Sequence, residues 1–242
     1  MSHIDPELLQ GKVAVITGAG RGIGRTIALA YASAGAAVVC SARNEADIAQ
    51  TAALIREAGG RAIAHAADVA DYATVTALFQ RASDAFGGVD IVVANAGVAL
   101  DQRRIADGDP ALWRKTIDIN LTGAYHTAHA AIPHLRRRGA GKIIMIGSGQ
   151  GRRPNAGFSA YSCSKAGLWM LTQSLATELQ EDNISVNELI PGPVRTDMTR
   201  DVAVPPGEWF KEPGDVIPLA MFLASMPDVG PSAQSYSLMR RA

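Results

Sequence analysis

Tyr161 and Lys165 stand four residues apart in the run Tyr161-Ser162-Cys163-Ser164-Lys165. On a helix that spacing puts both side chains on one face. A free tyrosine has a pKa near ~10 and is a poor acid–base group at neutrality. A neighbouring ammonium favours the phenolate and lowers that value by roughly 1–3 pH units. The pair then suits the proton transfer of a carbonyl–alcohol couple. Taken alone, such a pair is also common on helix surfaces. Ser148 ends a strand-like run, where a hydroxyl can donate to a substrate carbonyl as negative charge builds. By itself it reads equally well as an ordinary strand-end serine.

A second chemistry lies near the start, in Gly18-Ala19-Gly20-Arg21-Gly22-Ile23-Gly24. Bare backbone lets a pyrophosphate approach, and the helix that follows offers free N–H groups. Ile23 takes the place of the third glycine in a strict G-x-G-x-x-G, so the spacing is Gly-x-x-x-Gly-x-Gly. A ligand-free glycine turn is the plainer alternative. Its place after the first strand of a βαβ unit favours phosphate binding. The second strand ends in Ala42, where an NAD site usually carries an acid, and Arg43 follows. Arg21 projects from the glycine loop. Two guanidinium groups and no carboxylate suit a 2′-phosphate, so NADP(H) is expected over NAD(H). The plainer alternative leaves both arginines as solvated surface residues.

These residues must be held by regular elements. Strands are predicted at Lys12–Thr17, Ala37–Ala42, Ala62–Ala66, Asp90–Ala94, Lys142–Gly147, Ile184–Ile190 and Gln234–Leu238. Helices are predicted at Gly22–Ala34, Glu45–Ala58, Tyr72–Phe86, Pro110–Arg138, Ala160–Gln180 and Pro213–Ser225. Continuous apolar strands such as Val13-Ala14-Val15-Ile16 suit a parallel sheet covered on both faces. The alternation implies an α/β fold: a Rossmann-type doubly wound parallel β-sheet of about seven strands, flanked by helices, in a single domain over 1–242. Ligands of such sheets sit beyond the carboxyl ends of the strands, where the residues above fall.

The chain has 242 residues, 48% apolar and 19% charged, which excludes global disorder. Twenty-three basic residues balance 23 acidic ones, so a general nucleic-acid binder is not expected. No apolar run is long enough for a membrane helix, and no basic-then-apolar leader opens the chain. A cytoplasmic location is expected. Cys40 and Cys163 are expected to be buried and reduced. No metal is expected; His126 and His129, three apart, read as helix-surface residues.

Together these segments resemble the short-chain dehydrogenase/reductase family, in its single-domain branch. Thr17-Gly18-x-x-x-Gly22-Ile23-Gly24 resembles its cofactor loop. Asn95-Ala96-Gly97 resembles its NAG motif, and Asn120 in Asp118-Ile119-Asn120-Leu121 resembles its catalytic asparagine. Ser148, Tyr161 and Lys165 resemble the other catalytic residues, with gaps of 28 from Asn120 to Ser148 and 13 from Ser148 to Tyr161. Pro191-Gly192-Pro193-Val194-Arg195-Thr196 resembles the segment that closes on the nicotinamide. The resemblance implies that Tyr161 donates the proton and Lys165 lowers its pKa while holding the ribose hydroxyls. It also implies that Ser148 polarises the carbonyl and that Asn120 anchors a water. Asp68 and Val69 would bind at the adenine, and Val194 and Thr196 at the carboxamide. In plainer readings Asp68 is a helix N-terminal residue and Asn95 a turn residue tying backbone groups.

Substrate contacts are expected from Ser148, Gln150, Phe158 and Tyr161. The reaction expected is reduction of a small carbonyl, or the reverse. Within the family a 3-oxoacyl thioester is the alternative, with Arg136-Arg137-Arg138 and Arg152-Arg153 docking an acidic acyl carrier protein. A non-catalytic NADP-binding sensor is the alternative outside enzymes. A homotetramer or dimer is implied. The chain departs from the family pattern at Gly147, at Ala94 and in the tail Ser237-Leu238-Met239-Arg240-Arg241-Ala242. The stretch Thr199 to Lys211 is short for a substrate lid and stiffened by Pro205 and Pro206, which suggests a fairly open pocket; a plain surface loop is the alternative.

Overall fold

Aliphatic and β-branched runs form the strands. In the computed structural model, which describes residues 5–200, 202, 207 and 209–239, these are β1 (Val13–Thr17), β2 (Ala37–Ala42), β3 (Arg61–Ala66), β4 (Ile91–Ala94), β5 (Gly141–Ile146), β6 (Ile184–Ile190) and β7 (Ser235–Ser237). The helices are α1 (Gly22–Ser33), α2 (Glu45–Glu57), α3 (Tyr72–Phe86), α4 (Pro110–Ile117), α5 (Gly123–Arg138), α6 (Ser159–Glu178) and α7 (Ile217–Ser225). The seven strands form one parallel sheet in the order β3-β2-β1-β4-β5-β6-β7. The order in which strands are added reverses about β1, so β1 and β4 are neighbours whose connections leave toward opposite faces. That is the switch point at which an open α/β sheet forms its ligand crevice.

Side chains alternate across the sheet. Ala14 and Ile16 of β1 and Ile144 and Ile146 of β5 pack with Ile27, Tyr31 and Met221 of α1 and α7. Val15, Ile143 and Met145 face the other way, onto Phe79, Leu135 and Leu168 of α3, α5 and α6. Both faces are covered, which is why the strands are apolar throughout.

The segment predicted as one helix over Pro110–Arg138 is interrupted. A π-helical turn at Asp118–Thr122 separates α4 from α5. Its flanking dihedrals stay helical (Asp118 φ −58°, ψ −39°), so periodicity alone reveals no break. Turns of this kind recur at functional sites, and this one turns Asn120 into the interior, where it is 1% exposed. The last predicted strand contracts to three residues. The helix predicted from Pro213 begins as a 3₁₀ turn. Cys163 is exposed on α6 rather than buried, while Cys40 is buried, and both are free. Among the described residues no helix is long and apolar enough to cross a membrane.

At the end of the sheet opposite the glycine loop, Asp90 ties several elements together. Its Oδ2 accepts the Val13 amide at 2.8 Å. The Arg138 guanidinium, at the end of α5, bonds both carboxylate oxygens at 2.9 and 3.1 Å. Asp90 is nearly buried, so truncation leaves a buried amide and a guanidinium without partners. We expect Asp90→Ala to cost about 2–3 kcal/mol of unfolding free energy in denaturant titration. A loss below about 0.5 kcal/mol would contradict this account.

Candidate active site

The glycine loop leaves β1 at Thr17 and turns into α1. Gly18 and Gly22 both have positive φ, +65° and +53°. A β-carbon on Gly24 would overlap the Gly18 carbonyl and the Asn95 side chain, so α1 packs directly on the loop. Asn95, at the end of β4, donates from Nδ2 to the carbonyls of Thr17 at 2.9 Å and Gly18 at 3.2 Å. The Thr17 hydroxyl receives the Asn95 and Ala96 amides. Asn95 therefore acts as the tie of the plainer reading, bracing the loop.

The N-termini of α2, α3 and α4 are capped by the side chains of Asn44, Asp71 and Asp109. The N-terminus of α1 has no side-chain cap and no acid in its first turn. Open N–H groups, a positive dipole end and a cradle built of glycine fit a dinucleotide pyrophosphate.

Arg43 is exposed just past β2, with Ala42 before it. Arg21 does not stand free. Its Nη1 bonds Asp197 at 2.7 Å, linking the glycine loop to the segment after β6. Thr196 of that segment also lies against Gly22. Pro191 and Val194 are buried, and Gly192 has φ +70°. Val194 and Lys211 are joined by an isolated parallel bridge. Of the expected lid, Pro205 and Pro206 lie outside the described residues. Trp209 and Lys211 meet further along, with the ammonium 4.7 Å from the indole centroid. Asp68 closes a turn before α3 by accepting the Ala70 amide at 3.0 Å, while Asp71 caps that helix. Val69 beside it is buried against Gly123.

Ser148, Tyr161, Lys165 and Asn120 come together across three elements. Lys165 is buried and its Nζ donates to the Ile146 carbonyl at 2.7 Å, so the end of β5 holds it. Its Nζ lies 5.7 Å from the Tyr161 ring centroid. The Ser148 hydroxyl stands near enough to the Tyr161 phenol to favour its ionised form. Asn120 receives the Val98 amide on Oδ1 and donates to the Val98 carbonyl, both at 2.8 Å. Its Nδ2 also reaches Ser164 at 3.1 Å. Asn120 is thus a clamp between the β4 loop and α6. Gly97 fits closely beside it: a β-carbon there would stand 3.4 Å from Asn120 Oδ1 and 3.8 Å from Lys165 Nζ.

Burial pushes the Tyr161 phenol above its ordinary value, and the Ser148 hydroxyl opposes this only in part. That is the reverse of the lowering expected from Lys165, because desolvation disfavours the phenolate. Burial lowers Lys165 to about 8, with the Glu188 carboxylate pulling it back up.

Gln150 receives the Ser162 hydroxyl at 3.3 Å, and Phe158 precedes α6, so both line the loop between Ser148 and Tyr161. A cavity of about 280 Å³ opens beside them, lined by Asp101, Arg103, Ile105, Pro110, Trp113 and Ser159. Neither Ser148 nor Tyr161 lines it. The Arg152 guanidinium pairs with Glu188 at 2.8 Å. Arg136 and Arg138 are paired with Asp182 and Asp90. His126 bonds the Val69 carbonyl and His129 the Tyr72 hydroxyl. Among the described residues there is no cluster of three metal-ligating side chains.

The sequence profile described as short chain dehydrogenase matches residues 12–205. The chain belongs to that family. It is 34% identical over 230 residues to a 3-oxoacyl-[acyl-carrier-protein] reductase of Vibrio harveyi, covering 90% of this chain and 91% of that one. It is 39% identical over 188 residues to a cis-4-hydroxycyclohexanecarboxylate dehydrogenase of Sinomonas cyclohexanicum, covering 77% and 74%. The crystal structure of a gluconate 5-dehydrogenase from Burkholderia cenocepacia J2315, in complex with NADP and tartrate, superposes with a TM-score of 0.89 at 33% identity, covering 97% and 96%. This short-chain dehydrogenase is an oxidoreductase acting on alcohol or ketone groups, and its family binds a nicotinamide cofactor.

Sequence reasoning missed two residues of the site. Glu188 is the one acid in the fully buried β6, where Ser185 and Asn187 are its polar neighbours, a signal open to inspection. Met239 packs against Gly149 and Gly192, which only the folded tail reveals. We expect kcat/KM for carbonyl reduction to fall as pH rises through about 8. Above that value Lys165 is neutral and no longer stabilises a forming phenolate. A profile flat from roughly pH 6 to 10 would exclude Lys165 from this role.

Proposed function

We propose that this short-chain dehydrogenase is an NADP(H)-dependent carbonyl reductase, with alcohol oxidation as its reverse. The observation that carries the reading is the convergence of Ser148, Tyr161 and buried Lys165 beside an uncapped glycine-loop helix. Glycines 18, 22 and 24 and the first amides of α1 hold the pyrophosphate. The bound nicotinamide supplies the hydride to the carbonyl carbon. Ser148 donates to the carbonyl oxygen and orients it. Tyr161 gives its phenolic proton to that oxygen as it becomes an alkoxide. The raised pKa of Tyr161 keeps this proton in place at neutral pH. Lys165 holds positive charge near the phenolate left behind and, beside it, the ribose hydroxyls. Asn120 keeps the β4 loop against α6, so that Lys165 stays in register.

Arg43 supports the preference for NADP(H). It is exposed at the end of β2, where a 2′-phosphate would arrive, and Ala42 offers no carboxylate to repel it. Arg21, engaged by Asp197, supports it less than the sequence suggests. A small carbonyl is favoured over a carrier-bound thioester, because Arg136, Arg138 and Arg152 already have acidic partners within the chain.

Tyr161→Phe should lower kcat at least about 100-fold on a substrate found by a carbonyl screen with NADPH. Wild-type turnover by that variant would overturn the mechanism. Arg43→Ala should raise the KM for NADPH about 10- to 100-fold and leave that for NADH nearly unchanged. Equal losses with both cofactors, or a wild-type preference for NADH, would remove the assignment.

A further inference from the structure

Glu188 sits in the middle of β6, 0% exposed, and the mechanism above makes no use of it. Burying a carboxylate costs several kcal/mol unless charge partners compensate. Its Oε2 accepts Arg152 Nη2 at 2.8 Å and the Ser235 hydroxyl at 2.6 Å. Its Oε1 is buried without a hydrogen-bond partner. A β-carbon on residue 147 would overlap this carboxylate, so the Glu188 side chain lies flush on the backbone of Gly147. On one side of Gly147 is Ile146, whose carbonyl holds Lys165 Nζ; on the other is Ser148. Gly147 is therefore the space that the acid requires.

Arg152 extends the arrangement. It leaves the turn that follows Ser148, and its guanidinium stacks 4.6 Å from the centroid of Trp169 on α6. In the same turn, a β-carbon on Gly151 would stand 2.8 Å from the backbone of Lys165. One ion pair thus joins β6, the Ser148 loop and the helix that carries Tyr161 and Lys165.

We propose that Glu188 is a positioning residue of the active site, which anchors the Ser148 loop through Arg152 and supplies the buried negative charge that balances the Lys165 ammonium. The charged and titratable groups around Lys165 are few. Tyr161 faces it from α6 and Glu188 from β6, and Arg152 reaches it only through Glu188. Asn120 and Gly97, which approach from the π turn and the β4 loop, bring no charge. Glu188 holds Lys165 charged to a higher pH than burial alone would allow.

The inference rests on the reductase reading, so its test has a readout that needs no turnover. The pH dependence of Lys165 acetylation, followed by peptide mass spectrometry, measures its ionisation directly. In Glu188→Gln, which keeps the shape and removes the charge, the acetylation midpoint should move to lower pH by about one pH unit. The alkaline limb of kcat/KM should move with it, while NADPH affinity stays within about twofold. Glu188→Asp, which keeps the charge, should hold the wild-type midpoint. Gly147→Ala is the second variant: its methyl displaces the carboxylate, and the midpoint should again move down. A midpoint unmoved in every variant that folds overturns the proposal. So does an equal move in Glu188→Asp, because charge would then not be the cause. If the midpoint moves as expected but no carbonyl is reduced, the reductase reading fails and the role of Glu188 stands.

Discussion

The site depends on one close approach, where the end of β1 meets the end of β4. These strands are neighbours, but their connections leave toward opposite faces, so a crevice must open above them. Asn95 bridges it with two hydrogen bonds from Nδ2 to the backbone of Thr17 and Gly18. Gly24 allows α1 to settle against the same two residues. With the loop braced from both sides, the open amides of α1 point into the crevice. The β4 loop is held in turn by Asn120, itself turned inward by the π-helical turn. The glycine loop and the Tyr161–Lys165 pair are thus placed by consecutive contacts from one switch point.

Electrostatics completes what packing begins. Burial acts on the two members of the pair in opposite directions, keeping the proton on Tyr161 and loosening it on Lys165. Both effects disfavour charge in a poorly solvated place. The proposed reaction would form a phenolate, which needs an ammonium close by, and that ammonium needs a counter-charge. Glu188 is in position to provide it, at the cost of a buried carboxylate whose second oxygen has no donor. Pairing with Arg152 explains how the sheet tolerates an acid in a central position.

Much of this was legible in the sequence. Continuous apolar strands alternating with helices led to the doubly wound sheet, and the glycine spacing led to the loop on β1. Ser148, Tyr161, Lys165 and Asn120 stood at strand ends or at helical spacing, and the structure brings them together. The π turn was not legible, because its flanking dihedrals remain helical and no proline or glycine inside it marks a break. Nor was the engagement of Arg21 by Asp197, since the two are 176 residues apart. The direction of the Tyr161 shift was misjudged for a related reason: spacing on a helix reports proximity to Lys165 but not the loss of water around the phenol.

By itself, then, the sequence determined which elements form, which of their ends carry polar chemistry and which family the chain resembles. Local propensity and short-range spacing carry that information. Tertiary structure alone decided which of those groups meet and in what dielectric. Only there does Gly147 become the seat of Glu188, Arg152 turn from a lone surface charge into the partner of a buried acid, and Met239 reach back to Gly149 and Gly192. These are contacts between residues far apart in the chain, and their energies depend on distance and desolvation, which no spacing along a sequence encodes.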